Sequence, residues 1–236
     1  MIATEEYPWP LPPPELMTDL SGEIIYPESD GLPMTWNTEH YDWMVYLKEG
    51  IEWDLRARED ALIVADALWY PVEGHSEIRI GPDVFVALGR PKGPRSSYRQ
   101  WEEDNIAPQV IFEIISPGNS VLEMLDKRDF YETYGVKEFY TYDFTRKALR
   151  GWVVNGNGWK PIDHTKPWVS PLLGITLMTN NEGKLVALHR DGMPFLTVRE
   201  VHELREEAER QAGEATQKAS RLAAKLRELG LDPDSI

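Results

Sequence analysis

Residues 109–144 read QVIFEIISPGNSVLEMLDKRDFYETYGVKEFYTYDF, and three textures follow one another within them. The first is a short run of Val, Ile and Phe closed by Ser116 and Pro117, the pattern of a β-strand. Over 116–135, Val121, Leu122, Leu125 and the Phe130, Tyr131, Tyr134 group recur at helical spacing, with Asn119 or Ser120 placed as the cap and Gly135 as the stop. KEFYTYDF (137–144) then alternates aromatic and polar residues as a second strand. The unit is strand, helix, strand.

Outward from this unit the same short apolar runs continue. ALIVADALWYP (61–71), SEIRIGP (76–82) and DVFVAL (83–88) precede it; ALRGWVV, LGITLM and LVALHR follow, separated by NGNG and NNEG turns. All read as strands. TWNTEHYDWMVYLKEG (35–50) reads as a helix, with Thr38 as N-cap and a mixed apolar face of Tyr41, Met44, Val45 and Leu47. This order predicts an α+β domain over 35–196, a mixed sheet core flanked by helices. Before it, residues 1–34 are rich in Pro and acids, with PWPLPPP at 8–14, and read as an extended arm. After it, 197–236 carries Ala208, Ala212, Ala215, Ala219, Leu222, Leu226 and Leu229 at alternating steps of four and three. That heptad seam predicts a long C-terminal helix that pairs as a coiled coil, the alternative being one amphipathic helix lying on the domain.

Composition sets the outer limits. With 236 residues, 42% hydrophobic content, nine Trp, ten Tyr and six Phe, the chain has a core to bury, and disorder throughout is excluded. No window approaches the ~18 consecutive apolar residues of a spanning helix, and the start lacks the basic flank and apolar run of a signal peptide. The absence of cysteine excludes disulfides, zinc–thiolate sites and cysteine nucleophiles, and the expected compartment is the cytoplasm. The net charge of −15 is uneven: residues 1–66 carry −12, 67–198 carry −1 and 199–236 carry −2. In the nearly neutral middle lie Arg90, Lys92, Arg95 and Arg99 with no acid among them, either a track for a nucleic-acid backbone or a solvated loop.

The residues that carry chemistry are acids in apolar company. Asp83 stands at the mouth of one strand and Glu113 inside another, flanked by Phe112 and Ile114. Alternation can turn a lone strand acid to solvent; two acids on neighbouring strands point instead to a shared divalent cation, for which magnesium, an oxygen-seeking ion, is suited. The backbone carbonyl of Ile114 completes that ligand set. On the helix, Glu123 and Lys127 share a face four residues apart, as do Lys127 and Tyr131. The Glu123–Lys127 pair is either an ordinary surface ion pair or part of the site. Asp66 and Glu73 are either further site acids or loop acids. His40, His75, His164, His189 and His202 have no metal-ligand spacing and read as surface or packing histidines. No phosphate-binding GxxxxGK[ST] or GxGxxG motif is present.

PDVFVALG (82–89), SYRQWEEDNIAPQVIFEIISPGNS (97–120), EMLDKRDFYETYGVKEFYTYD (123–143), the Trp168-Val169 and SPLLGI stretch, and LAAKLRELGLDPD (222–234) together resemble the Uma-two family of restriction-endonuclease-like proteins, a branch of the PD-(D/E)XK nuclease superfamily. The resemblance covers about 60–236. It implies a restriction-endonuclease-like core, a magnesium or manganese site and hydrolysis of phosphodiester bonds, with DNA as the substrate. By position Asp83 is the motif aspartate and Glu113 the second acid. The family lysine, two residues past that acid, is here Ile115, which leaves Lys127 on the following helix as its replacement. The expected protein is a homodimeric endonuclease with Asp83, Glu113, Lys127 and Glu123 at its site. The alternative is a nuclease-fold protein that works as a binding or assembly module through its C-terminal helix.

Overall fold

In the computed structural model, which describes residues 17–19, 21–29, 38–116, 119–156 and 158–229, the first long element is helix α1 (Thr38–Asp54). It buries His40, Trp43, Met44, Tyr46, Leu47 and Ile51, whereas Tyr41, assigned to the apolar face by sequence, is exposed. The run ALIVADALWYP is two strands, β1 (Ala61–Ala65) and β2 (Leu68–Tyr70), because Asp66 adopts a left-handed backbone with φ 52° and turns the chain. SEIRIGP is not a strand. It pairs only through a single bridge from Ile80 to Trp69, and Gly81 and Pro82 end the pairing, since proline has no N–H to give.

β3 (Val84–Leu88), β4 (Ser97–Arg99), β5 (Val110–Ile115), helix α2 (Val121–Thr133), β6 (Glu138–Asp143), β7 (Ala148–Val154) and β8 (Trp159–Pro161) come next. The main sheet has the order β1-β3-β5-β6-β7-β8, antiparallel throughout except for the parallel pair β5 and β6, which α2 connects. β4, β8 and β9 (Trp168–Val169) are too short to stand out in the sequence. β9, β10 (Thr176–Thr179) and β11 (Leu185–Leu188) form a second, antiparallel sheet, and β2 pairs with β4 in parallel.

Alternation along the main sheet divides its side chains between two cores. Val84, Val86, Val110, Phe112, Ile114, Tyr140 and Tyr142 face α1 and the second sheet. Leu62, Phe85, Ala87, Ile111 and Phe139 face the opposite way, toward Phe130 and Tyr131 of α2 and the rings of Trp69 and Tyr98. The strands are apolar on both faces because both faces are covered. α2 departs from its sequence reading in one respect: Val121 and Leu122 are 71% and 72% exposed, and only its later residues Phe130 and Tyr131 are buried.

Glu138 is a second buried acid, on β6. Its carboxylate accepts hydrogen bonds from Tyr140, from the Ser170 hydroxyl and from the Leu172 N–H, joining the main sheet to the 170–172 turn. The described part of the arm is held by Tyr26, which packs on Tyr70 and Trp101, and by the Tyr70 hydroxyl donating to the Pro27 carbonyl. The PWPLPPP run lies outside the described residues.

The chain divides into two units at Phe195 and Leu196. The second contains α3 (Val198–Glu228), a 31-residue helix opened by a capping box between Thr197 and Glu200. Arg205–Glu209 and Arg210–Glu214 pairs, four residues apart, support it along its length. Among the described residues no helix is long and apolar enough to cross a membrane.

Candidate functional site

β3 and β5 run antiparallel with Val84 opposite Phe112. Carried one residue further, that register sets Asp83 opposite Glu113, whose side chain meets α2. Asp83 sits just before its strand, and its Oδ2 accepts the Ile114 N–H at 2.5 Å. In an extended strand the N–H and C=O of one residue point to the same side, so the Ile114 carbonyl is turned toward Asp83 as well.

Glu113 is 2% exposed, and both of its oxygens have partners on α2. Lys127 Nζ lies 2.7 Å from Oε2, and the Tyr131 hydroxyl donates to Oε1 at 2.5 Å. Lys127 and Tyr131 reach one carboxylate because residues four apart share a helix face. Burial pushes the Glu113 carboxyl up; Lys127 opposes this, Asp83 adds to it, and the balance lies at about 7. Burial works against the charge on Lys127, but Glu113 and Asp83 outweigh it and hold its pKa above the usual lysine value. Burial, reinforced by Glu113, raises the Tyr131 phenol well above its ordinary range, so it stays a donor.

The start of α2 is fixed by the acid that the sequence placed beside Lys127. Glu123 belongs to a capping box: Ser120 Oγ accepts the Glu123 N–H at 3.0 Å, and Glu123 accepts from the Ser120 N–H. Asn119 Nδ2 also donates to Glu123, while the Asn119 side-chain oxygen accepts from Ser116. Glu123 therefore sets where the helix begins, and with it where Lys127 is delivered. Ile115, at the position of the family lysine, is the last residue of β5.

The remaining candidates fall elsewhere. Asp66 adjoins the site through its backbone, donating to the Asp83 carbonyl at 3.1 Å, whereas Glu73 is exposed on the turn after β2. Arg90 and Arg95 both bind Glu103, and Arg90 also meets Asp104. Lys92 donates to the Arg56 carbonyl, and Arg99 pairs with Glu102 and lies over the Tyr26 ring. Each of these four bases is thus engaged inside its own unit. His189 is tied to Asp54 and His75 to Glu77.

Sequence reasoning missed His40. It is 4% exposed, on the first turn of α1, and its Nε2 stands 3.3 Å from Asp83 Oδ2. The signal available was position: among the residues that α1 buries, His40 is the one able to titrate near neutral pH.

Among the described residues no group of three or more His, Asp or Glu side chains forms a ready metal cage. Two carboxylates and a backbone carbonyl stand together instead. This fits magnesium, which takes one or two carboxylates and keeps several waters. A divalent cation there would also offset the repulsion of Asp83, which adds to burial in raising the Glu113 pKa.

A family model described as Uma2, putative restriction endonuclease, matches residues 42–179, a span that holds Asp83, Glu113 and Lys127. No curated protein matches the chain. Among solved structures the chain is similar to one titled as a putative nuclease belonging to DUF820 from Anabaena variabilis, at 15% identity and a TM-score of 0.45, over 70% of this chain and 87% of that one.

Proposed function

As the chain belongs to the Uma2 family of putative restriction endonucleases, we propose that it is a magnesium- or manganese-dependent endonuclease that hydrolyses phosphodiester bonds of DNA. The observation that carries this reading is the convergence of Asp83, Glu113 and Lys127, from three separate segments, at the carboxyl end of β5. Asp83, Glu113 and the Ile114 carbonyl would hold the metal. When bound, such an ion supplies a Lewis acid for the phosphate and lowers the pKa of a bound water. Lys127 keeps its proton and orients the attacking water or meets the charge that grows on the phosphate. Tyr131 holds the Glu113 carboxylate, and Glu123 fixes the helix that aims Lys127.

The test is incubation of the purified chain with duplex DNA and 5 to 10 equivalents of Mn²⁺, or Mg²⁺, with and without a chelator, alongside a Mn²⁺ binding titration. Nicking that requires the metal is the expected result. A chain that neither binds Mn²⁺ nor cuts duplex DNA, single strands or RNA sinks the reading. Because the chain carries −15, DNA binding is expected to be weak, and to fall steeply with salt if the Arg90–Arg99 stretch provides the contacts.

One observation favours a second reading. Both Glu113 oxygens are already bonded by protein groups, as suits a nuclease fold that has become a binding or assembly module. Mn²⁺ binding without cleavage of any nucleic acid selects it.

The seam from Ala208 to Leu229 on α3 leaves Leu222 and Leu229 exposed, and helices with such stripes bury them by pairing. The chain is accordingly a homodimer joined through α3. Sedimentation is expected to give a dimer for the full chain and a monomer for a chain ending near Leu196; a full-length monomer removes the dimer.

A further inference from the structure

α1 covers the face of the sheet opposite α2, yet its first turn sends one side chain to the candidate metal site. His40 Nε2 lies 3.3 Å from Asp83 Oδ2, on the same oxygen that accepts the Ile114 N–H. The ring also makes a hydrogen bond to the backbone of Ile114. The Ile114 N–H is already given to Asp83, so the ring's partner on Ile114 is the carbonyl. One imidazole thus contacts two of the three residues assigned to the metal.

We infer that His40 is the positioning residue of the metal site, holding the Asp83 carboxylate and the Ile114 carbonyl in place for the cation. The inference rests on the reading of Asp83, Glu113 and Ile114 as metal ligands. Its physical basis is that Asp83 lies just before β3 and its Oδ2 takes both the His40 ring and the Ile114 N–H. The two donors on Oδ2 hold one oxygen and leave Oδ1 for a cation. His40 delivers its donor from a packed helix, flanked by the buried Trp43 and Met44. Partners that orient a ligating carboxylate in this way are typically worth 10- to 100-fold in metal affinity.

The experiment is a Mn²⁺ titration of the full chain, followed by the electron paramagnetic resonance of the free ion, for wild type, His40→Ala, His40→Gln and His40→Leu. Melting without metal is recorded for each. His40→Ala is expected to weaken Mn²⁺ binding by about 10- to 100-fold, and His40→Gln, whose amide donates, to recover most of that loss. Should His40→Ala fail to fold, the two larger variants decide: Gln binding Mn²⁺ at least 10-fold more tightly than Leu supports the inference. Equal affinities for those two, or unchanged affinity in folded His40→Ala, overturn it while leaving the nuclease reading intact. A wild-type chain that binds no Mn²⁺ overturns both.

Discussion

Asp83→Asn is expected to lower metal-dependent cleavage by roughly three orders of magnitude while the protein stays folded. A metal acting on a phosphate contributes several kcal/mol to the transition state, and each ~1.4 kcal/mol is tenfold in rate. Asparagine keeps an oxygen to accept the Ile114 N–H, which Asp83 now accepts at 2.5 Å, but it lacks the charge that draws a divalent cation. Asp83→Ala is the less discriminating variant. It leaves the Ile114 N–H without its acceptor, at a cost of about 1–3 kcal/mol, so lost activity would mix with lost stability. The measurement is single-turnover cleavage with Mn²⁺ or Mg²⁺ beside a Mn²⁺ titration. Cleavage by the Asn variant at the wild-type rate would remove Asp83 from the chemistry and point to a contaminating nuclease.

The order of strand, helix and strand around Glu113 was legible because β5, α2 and β6 each have the period of their own structure and Ser116 and Gly135 separate them. The elements that were not legible are those in which local pattern and tertiary context disagree. SEIRIGP has the alternation of a strand but pairs through a single bridge to Trp69, and two- and three-residue strands such as β9 and β4 carry no period at all. Val121 and Leu122 fit a helical apolar face, yet α2 is anchored by Phe130, Tyr131 and Lys127 further along.

The candidate site divides in the same way. Asp83 and Glu113 are visible as acids in apolar runs, and Lys127 as a lysine on the next helix. What each one bonds to depends on register and helix phase, which no linear spacing displays: Tyr131 and Glu123 are both four residues from Lys127, but one holds Glu113 and the other caps α2. His40 lies outside the span matched by the family model and 43 residues from its partner Asp83. The Arg90–Arg99 stretch looked unpaired because its main acid, Glu103, follows the run rather than interrupting it.

Lys127→Met is the change expected to cost the most stability, and its pH dependence separates structure from chemistry. Removing one member of a buried pair costs about 3–5 kcal/mol because the other charge stays behind. Here Glu113 has a way out. Its pKa is already raised to about 7, and without Lys127 it rises further, so the carboxyl takes a proton instead. A raised folded-state pKa gives stability that is fully present below the unfolded value of about 4.3 and is lost as pH rises through the folded value. The variant should therefore melt close to wild type near pH 5 and fall progressively below it above pH 7. Adding Glu113→Gln removes the charge while leaving an oxygen for the Tyr131 hydroxyl, so the double variant should regain most of the stability at pH 8. It should not regain cleavage. If Lys127→Met cuts DNA at the wild-type rate under conditions where it is folded, the displaced lysine has no part in the reaction, and the pair serves only to hold α2 against β5.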